Sequence, residues 1–317
     1  MKIQFPLKDF KSSNQSAFFY LLLPAGLCVF GLYLSNNPVF SLGYFISQLF
    51  LSIFFFQCFI LLHETGHFSF FKSRNLNVLF GHFFAIITII PFKNWTSMHN
   101  LHHRWTGYRD KDPNTEDTVS PKFTLFSKIL INVSWKFWLP LFTIGYRYNY
   151  WNISKIKRHL PANQLKSVFL NMALLIVLYA LLLVFWSPFI LKTLAPAYLI
   201  SLMISDVFIL SQHSHIEIPL SNGNEVKPLR YADQIPYTRS LKINQTIARF
   251  FYFNFNLHEL HHAYPGLPAY HLNKIQKDTP NAVKFSVYLK EAKRMSGLDF
   301  VFKTSSKKIG IKDPIKK

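Results

Sequence analysis

The sequence predicts an all-α integral membrane protein in which four transmembrane helices form two hairpins and carry a cytosolic helical cap. Half of its 317 residues are apolar and 17% are aromatic. The apolar residues are gathered into long runs with few or no charges, which favours a membrane protein over a soluble one. The formal net charge is +20, and the cations lie mainly between the apolar runs. We expect a single domain over residues 1–317.

The first predicted hairpin consists of spans at about 17–34 and 41–62, joined by the short turn at 35–40. Both runs are uncharged. At about 1.5 Å per helical residue, each is long enough to cross a hydrocarbon core of roughly 30 Å. The polar stretch that precedes them contains Pro6 and does not resemble a cleavable signal peptide.

The second predicted hairpin consists of spans at about 165–186 and 188–210, with a turn at Ser187–Pro188. Two other stretches are apolar without being predicted spans. Residues 78–90 are too few to cross a bilayer, which suggests a re-entrant, interfacial or buried helix. Residues 124–144 combine lysines with aromatic side chains, as a helix lying in the membrane interface would.

The distribution of cations predicts the orientation. Of the 35 Lys and Arg residues, 13 lie in 63–164 and 17 in 212–317, whereas the predicted hairpin turns hold almost none. Because cytoplasmic loops carry an excess of Lys and Arg, we expect both termini and the central segment in the cytoplasm. The cap would comprise 63–164 and 211–300, followed by a basic tail at 301–317. The cations form no aromatic-interleaved stripe, so no nucleic-acid partner is expected.

Histidines are concentrated in four short motifs on the predicted cytosolic side. They read HETGH at 63–67, HNLHH at 99–103, QHSH at 212–215 and HELHH at 258–262. On a helix, residues three and four apart lie on one face, which is the spacing that metal ligands require. The candidate ligands are His63, His67, His99, His102, His103, His258, His261 and His262, with a ninth from QHSH, which is His213 or His215.

Nine imidazoles exceed the about four to six ligands that one ion takes, so the motifs predict two metal ions side by side. Imidazole suits zinc, copper, iron and nickel, so the ligand type alone does not select the metal. The two cysteines, Cys28 and Cys58, lie inside apolar runs and offer no cysteine-based metal site. A metal transporter or sensor is an alternative class, but it would place ionisable residues within its spans rather than at their ends.

Taken together, these motifs resemble the histidine boxes of the membrane fatty acid desaturase superfamily. The segments QHSHIEIP at 212–219 and PAYHL at 268–272 are similar to segments of its acyl-lipid Δ12/ω-3 type. The resemblance covers roughly residues 40–275. It implies a di-iron centre with two iron ions, which activates O₂ as co-substrate with electrons from a separate donor of the ferredoxin or cytochrome b5 type.

The resemblance also implies that a cis double bond is introduced into a lipid acyl chain, which lies in a tunnel beneath the metal ions. The acyl carrier (lipid, CoA or acyl carrier protein) stays open. Carotenoid hydroxylases and ketolases have similar boxes, so a hydroxylase or ketolase of a carotenoid or other lipid is the alternative. As the ninth iron ligand the resemblance favours His213 over His215, because relatives keep a histidine at that position. The expected location is a bacterial inner membrane or the endoplasmic reticulum.

Acidic and basic residues near the motifs are further candidates. Acids that could accept a hydrogen bond from a metal-bound imidazole are Glu64, Asp110, Asp112, Asp206 and Glu259. Asp206 is the strongest, and is also a candidate ligand, because an acid at the end of an apolar span usually has a function. Cations that could meet a phosphate headgroup or an acidic redox partner are Arg104, Arg109, Arg230 and Arg239. Histidines expected to have structural or surface roles are His82, His159 and His271.

Overall fold

The computed structural model of the chain describes residues 10–275, 279–306 and 309. Within these residues the fold is mainly helical. The helices are α1 (Asn14–Leu34), α2 (Leu42–Gly66), α3 (Arg74–Thr88), α4 (Phe92–Trp105), α5 (Leu125–Lys136), α6 (Leu141–Asn149), α7 (Ile153–His159), α8 (Ala162–Phe189), α9 (Ala195–His213), α10 (Gln245–Phe250), α11 (His258–Ala263), α12 (Ala269–Ile275), α13 (Phe285–Arg294) and α14 (Gly297–Phe302). Two short strands, β1 (Leu241–Lys242) and β2 (Val283–Lys284), pair in parallel. Most of the predicted basic tail lies outside the described residues.

Three helical stretches are long and apolar enough to cross a membrane. They are α1, α2 and the stretch from Ala162 to His213, and the bent pair α3–α4 makes a fourth if it is counted as one span. The chain is therefore a mainly helical membrane protein. The predicted third and fourth spans fall within the stretch from Ala162 to His213, on either side of an interruption.

Helices α1 and α2 correspond to the first predicted hairpin. Each begins at a serine whose hydroxyl accepts a hydrogen bond from the first helical turn, Ser13 in α1 and Ser41 in α2. The two helices approach closely at Gly31, where an added Cβ would lie 2.7 Å from Leu51 Cγ. The Ser47 hydroxyl donates to the Gly31 carbonyl across the same contact (2.8 Å). Small residues thus bring the helices together, as is common between membrane helices.

The stretch from Ala162 to His213 is interrupted near its middle. Trp186 has non-helical dihedral angles (φ −131°, ψ 18°), and Ile190–Leu194 form a π-helical turn. The break lies one residue before the turn predicted at Ser187–Pro188. It divides the stretch into α8 and α9.

Two tyrosines indicate that the chain turns back at this break. The Tyr179 hydroxyl in α8 donates to the Ile86 carbonyl (3.0 Å), and the Tyr198 hydroxyl in α9 donates to the Thr88 carbonyl (2.6 Å). In a straight helix the two tyrosines would be separated by about 28 Å at 1.5 Å per residue. Because both reach the end of the same helix, α8 and α9 run in opposite directions.

Helix α9 lies beside α2 and runs in the same direction. At one end the Tyr44 hydroxyl donates to the Lys192 carbonyl (2.7 Å). Further along, the rings of Phe56 and Phe208 lie 5.6 Å apart. The C-terminal ends of both helices therefore meet at one level, which brings the HETGH and QHSH motifs together.

The apolar stretch predicted to be re-entrant, interfacial or buried forms α3, which bends by 98° into α4. The bend occurs at Ile89, whose φ of 57° is left-handed. Carbonyl oxygens at the end of α3 accept hydrogen bonds from the side chains of Arg147, Trp151, Tyr179 and Tyr198. A helix end at membrane depth requires such donors, because lipid supplies none.

The segment predicted as one interfacial helix at 124–144 is two helices, α5 and α6. The helix is broken before Pro140, which has no N–H and would clash with the preceding turn, and Trp138 has a φ of 63°. Apolar residues of α5 are 39–74% exposed, namely Leu125, Phe126, Ile129, Leu130 and Val133. Such an apolar face is typical of a helix in the membrane interface.

Candidate metal centre

The structure brings nine of the predicted histidines into two adjacent groups. The five-histidine group contains His63, His67, His99, His103 and His261. The four-histidine group contains His102, His213, His258 and His262. Within each group, one ligand nitrogen from every ring lies within 4.8 Å of the others. The groups touch where the rings of His103 and His262 stack, with centroids 4.2 Å apart.

Each HxxHH motif contributes to both groups. In α4, His99 and His103 belong to the five-histidine group and His102 to the four-histidine group. In α11 the assignment is reversed, since His258 and His262 join the four-histidine group and His261 the other. Residues four apart lie nearly one above the other, whereas neighbouring residues point about 100° apart around the helix. The adjacent histidines of each motif therefore face different metal positions.

The donor set fits two cations. Ring nitrogens approach one another closely, with His67 Nε2 and His99 Nε2 3.0 Å apart and His213 Nε2 and His258 Nε2 2.9 Å apart. Within the described part of the chain, five buried ring nitrogens of the cluster have no hydrogen-bond partner: His63 Nε2, His99 Nδ1, His103 Nδ1, His258 Nδ1 and His262 Nε2. Buried polar atoms normally have partners. In His99, His103 and His258 the converging atom is Nε2. Metal ions between the converging Nε2 atoms would supply the missing partner of His63 Nε2 and His262 Nε2.

Burial keeps the HELHH motif at 258–262 in the protonation state that binds metal. Loss of hydration, followed by repulsion from neighbouring imidazoles, lowers the pKa of His258, His261 and His262 well below the ordinary value. These rings are therefore neutral at neutral pH, and a neutral imidazole has the free lone pair that a metal ion needs.

Two of the predicted acidic residues hold histidine rings. Asp112 Oδ2 accepts from His102 Nδ1 (2.7 Å), and Glu64 Oε1 lies 3.1 Å from His63 Nδ1. Both acids are buried. A hydrogen bond from Nδ1 leaves Nε2 to bind a metal ion, which is the usual arrangement around metal-bound histidine.

Two further acceptors were not among the predicted site residues. The Tyr237 carbonyl accepts from His213 Nδ1 (3.0 Å), and Gln234 Oε1 accepts from His262 Nδ1 (3.0 Å). Both belong to the 3-10 segment Tyr231–Tyr237. The segment lies more than twenty residues from HELHH in the chain and carries no ligand motif. No spacing pattern in the sequence indicates this role.

The other three predicted acids lie outside the histidine groups. The Asp206 carboxylate accepts from the Thr143 main-chain N–H in the first turn of α6, so it caps that helix. Asp110 accepts from the main-chain N–H of Ser221 (2.8 Å). Glu259 accepts from Thr279 and from the Asn281 main-chain N–H. Each carboxylate joins two segments of the chain.

The two histidines of QHSH have different positions. His213 belongs to the four-histidine group, whereas the backbone turns at His215 (φ 57°) and its ring donates to the carbonyl of Asp299 or Lys303 (3.1 Å to each). The remaining histidines lie elsewhere: His82 packs on Phe92, His159 contacts Glu116, and His271 packs on Tyr270.

The four predicted cations divide into two pairs. Arg109 donates to Thr118 and to the Phe302 carbonyl, and the buried Arg239 donates to the Ser211 carbonyl. These two guanidinium groups therefore hold segments of the protein together. Arg104 and Arg230 are exposed, and Arg230 pairs with Asp233 (2.7 Å).

A cavity of about 440 Å³ adjoins the histidine groups. Five of the nine histidines line it, namely His63, His99, His102, His213 and His258. Much of the remaining wall is apolar and includes Phe59, Ile131, Leu141, Phe142, Ile209, Leu210 and Phe255. Gly145 also lies in the wall, and an added Cβ there would meet no atom within 4 Å. The cavity is within the size range of small-molecule sites.

The chain is similar in sequence to known proteins. A family model described as "Fatty acid desaturase" matches residues 40–289. The chain is 26% identical over 263 residues to an endoplasmic reticulum omega-3 fatty acid desaturase of Vigna radiata, which covers 78% of this chain and 66% of that protein. It is also 26% identical over 261 residues to a chloroplastic sn-2 acyl-lipid omega-3 desaturase (ferredoxin) of Helianthus annuus, covering 78% of this chain and 57% of that protein. An sn-1 oleoyl-lipid 12-desaturase of Anabaena variabilis is 44% identical over 54 residues, covering 17% of this chain and 15% of that protein. The chain thus spans less than two thirds of the length of these relatives.

Proposed function

Because the chain belongs to the fatty acid desaturase family, we propose that it is an O₂-dependent membrane oxidoreductase that introduces a cis double bond into a lipid acyl chain. The observation that carries the proposal is the placement of nine histidines in two groups beside a cavity with largely apolar walls. The names of the relatives, which include omega-3 and 12-desaturases, support an acyl-lipid substrate.

We assign one iron ion to each histidine group as the cofactor. The five-histidine group would hold one ion and the four-histidine group the other. When bound, the iron ions would supply the activation of O₂ and the removal of hydrogen from an unactivated C–H bond. Imidazole is a suitable ligand for iron, although it does not exclude other metals.

The protein's own contribution would be to hold the ligands and exclude water. Asp112, Glu64, Gln234 and the Tyr237 carbonyl each orient a ring through its Nδ1 atom. Trp95 is fully buried, and its ring stacks on His99 at a centroid distance of 4.3 Å. A rigid, dry site of this kind keeps a reactive centre away from solvent.

The cavity would position the substrate. An acyl chain in it would lie against Phe59, Phe255 and Leu210, next to histidines of both groups. Carbon–hydrogen bonds of an acyl chain offer no group for a hydrogen bond. The shape of the apolar wall must therefore determine which part of the acyl chain lies beside the histidines. We propose that this wall determines which carbon atoms react.

We further propose a topology of two hairpins, with both termini and the histidine groups on the cytoplasmic side of the membrane. The distribution of Lys and Arg supports this orientation. Electrons would come from a separate donor. The name of the Helianthus relative includes ferredoxin, and the exposed cations Arg104 and Arg230 offer positive charge to an acidic partner.

The test is expression of the chain in a host that lacks such enzymes, followed by mass spectrometry of its lipids with location of double bonds. We expect a new cis double bond and no oxygen from ¹⁸O₂ in the lipid product. Incorporated oxygen would instead indicate the hydroxylase or ketolase reaction, and unchanged lipids together with an iron-free purified protein would contradict the proposal.

A further inference from the structure

We infer that Gln234 is a positioning residue that links the two histidine groups and holds His262 in the form that binds the second metal ion. The inference rests on the proposed function, since it concerns the residues that would hold the metal ions. Gln234 belongs to the 3-10 segment Tyr231–Tyr237, and its side chain is completely buried.

The side-chain amide of Gln234 makes one hydrogen bond to each group. Its Nε2 donates to the main-chain carbonyl of His103 (2.6 Å), a member of the five-histidine group. Its Oε1 accepts from Nδ1 of His262 (3.0 Å), a member of the four-histidine group. A primary amide offers a donor and an acceptor together, so it can make both bonds where a carboxylate or a hydrocarbon side chain cannot.

The bond to His262 determines which of its ring nitrogens carries the proton. With Nδ1–H donating to Gln234, Nε2 keeps its lone pair, and this buried Nε2 has no hydrogen-bond partner among the described residues. Without Gln234, the ring could turn or move its proton to Nε2, which would remove a ligand atom. Without Gln234, the four-histidine group would lose a hydrogen bond to one of its ligand rings, whereas the five-histidine group would lose only a hydrogen bond to the main chain of His103.

Substitution of Gln234 should therefore weaken metal binding in the four-histidine group and not in the five-histidine group. The purified full-length chain is titrated anaerobically with Fe(II) alone, and the release of iron to a chelator is then followed. We expect the wild-type chain to bind two equivalents of Fe(II). For Gln234→Met, which removes both hydrogen bonds at similar volume, we expect one equivalent to bind about 10–100-fold more weakly, as when other such partners of metal-bound histidines are lost. The affinity for the other equivalent should be the same as in wild type.

Gln57→Met is the matched control. Gln57 is also fully buried, and its Nε2 donates to the Phe250 carbonyl (3.1 Å) rather than to a histidine. This variant should bind both equivalents like wild type. A purely structural role for Gln234 would weaken both equivalents together or neither, and either result overturns the inference.

Gln234→Glu separates the two hydrogen bonds and carries the test if Gln234→Met does not fold. Glutamate keeps an acceptor for His262, as Asp112 provides for His102, but loses the donor to the His103 carbonyl. Because the acceptor for His262 remains, we expect the iron equivalent of the four-histidine group to bind about as tightly as in wild type, unlike in Gln234→Met. A loss of about 10-fold or more in the affinity for that equivalent, with the acceptor retained, contradicts the inference. A wild-type chain that binds fewer than two equivalents overturns the proposed function itself, which is a distinct result.

Discussion

The two histidine groups contain the same kind of ligand, yet the protein positions them differently. Four members of the five-histidine group come from the HETGH and HNLHH motifs of α2 and α4. These helices meet closely, since an added Cβ on Gly66 would lie 2.2 Å from the Trp95 ring. The four-histidine group draws on α4, α9 and α11, and three of its four rings donate to Asp112, Gln234 or the Tyr237 carbonyl. Packing therefore dominates in one group and hydrogen bonding in the other.

This difference has a physical consequence. A ligand on a helix that is fixed by close packing is insensitive to single polar substitutions but sensitive to added volume. A ligand held through a hydrogen bond to a loop responds in the opposite way, because loss of one acceptor frees the ring. Substitutions that remove ligands, acceptors or space should therefore affect the groups unequally.

The largest effects are expected from the adjacent pair His261→Ala and His262→Ala. The first removes a ligand from the five-histidine group and the second from the four-histidine group. Each variant should lower desaturation by at least about 100-fold, because loss of a ligand exceeds the loss of an orienting partner. Each should retain the iron of the other group, measured as iron per chain by elemental mass spectrometry. If either variant keeps half of the wild-type double-bond formation, the assignment of these ligands is wrong.

The next largest effect is expected from Asp112→Ala, which removes the acceptor of His102 in the four-histidine group. We predict a loss of about 10–100-fold in affinity for one iron equivalent, measured by competition with a chelator. Asp110→Ala is the matched control, since Asp110 bonds to Ser221 and touches no histidine in the described contacts. Equal iron affinities of the two variants would show that the carboxylate of Asp112 is not required to orient His102.

The packing of the five-histidine group is tested by Gly66→Ala. The new methyl group would overlap the fully buried Trp95 ring, whose neighbour is His99. We expect a destabilisation of about 1–3 kcal/mol from overpacking, together with weaker binding of the iron in the five-histidine group only. Thermal unfolding and iron release measure the two effects. Gly26→Ala is the control, because an added Cβ there meets nothing within 4 Å.

A smaller effect, on substrate alone, is expected from Gly145→Leu. Gly145 lies in the wall of the cavity that histidines of both groups line, and an added Cβ there meets no atom within 4 Å. We predict a fall of about tenfold in desaturation of the longest acyl chains with both iron equivalents retained, because an apolar pocket that loses the space of one methylene binds the corresponding substrate more weakly by about 1–3 kcal/mol. Lipid mass spectrometry resolves the chain lengths. An unchanged distribution of products would exclude this wall from the substrate site.

The sequence predicted the parts of this site that depend on local spacing. HxxxH and HxxHH place imidazoles on one helical face whatever the surrounding fold, and the long apolar runs with few charges indicate long apolar helices. The acceptors Gln234 and Tyr237 could not be found in this way, because they reach the rings through tertiary contacts from a distant segment. The split of each HxxHH motif between two groups also depends on how α4 and α11 face each other. At 124–144 a single helix was predicted and two are present, because the chain breaks before Pro140.

The role of Asp206 also depends on a tertiary contact that the sequence does not reveal. Its substitution leads to the smallest predicted effect. The sequence makes Asp206 a candidate ligand because it is an acid at the end of a predicted span, but in the structure its buried carboxylate caps α6 at Thr143. A cap of this kind contributes about 0.5–2 kcal/mol to stability. Asp206→Ala should therefore lower the free energy of unfolding by about 1 kcal/mol and leave both iron equivalents in place, as measured by thermal unfolding and iron content. Asp206→Asn, which keeps an oxygen acceptor for the Thr143 N–H, should lose less stability than alanine. Loss of one iron equivalent in both variants would instead make Asp206 a ligand and would require the four-histidine group to open toward α6.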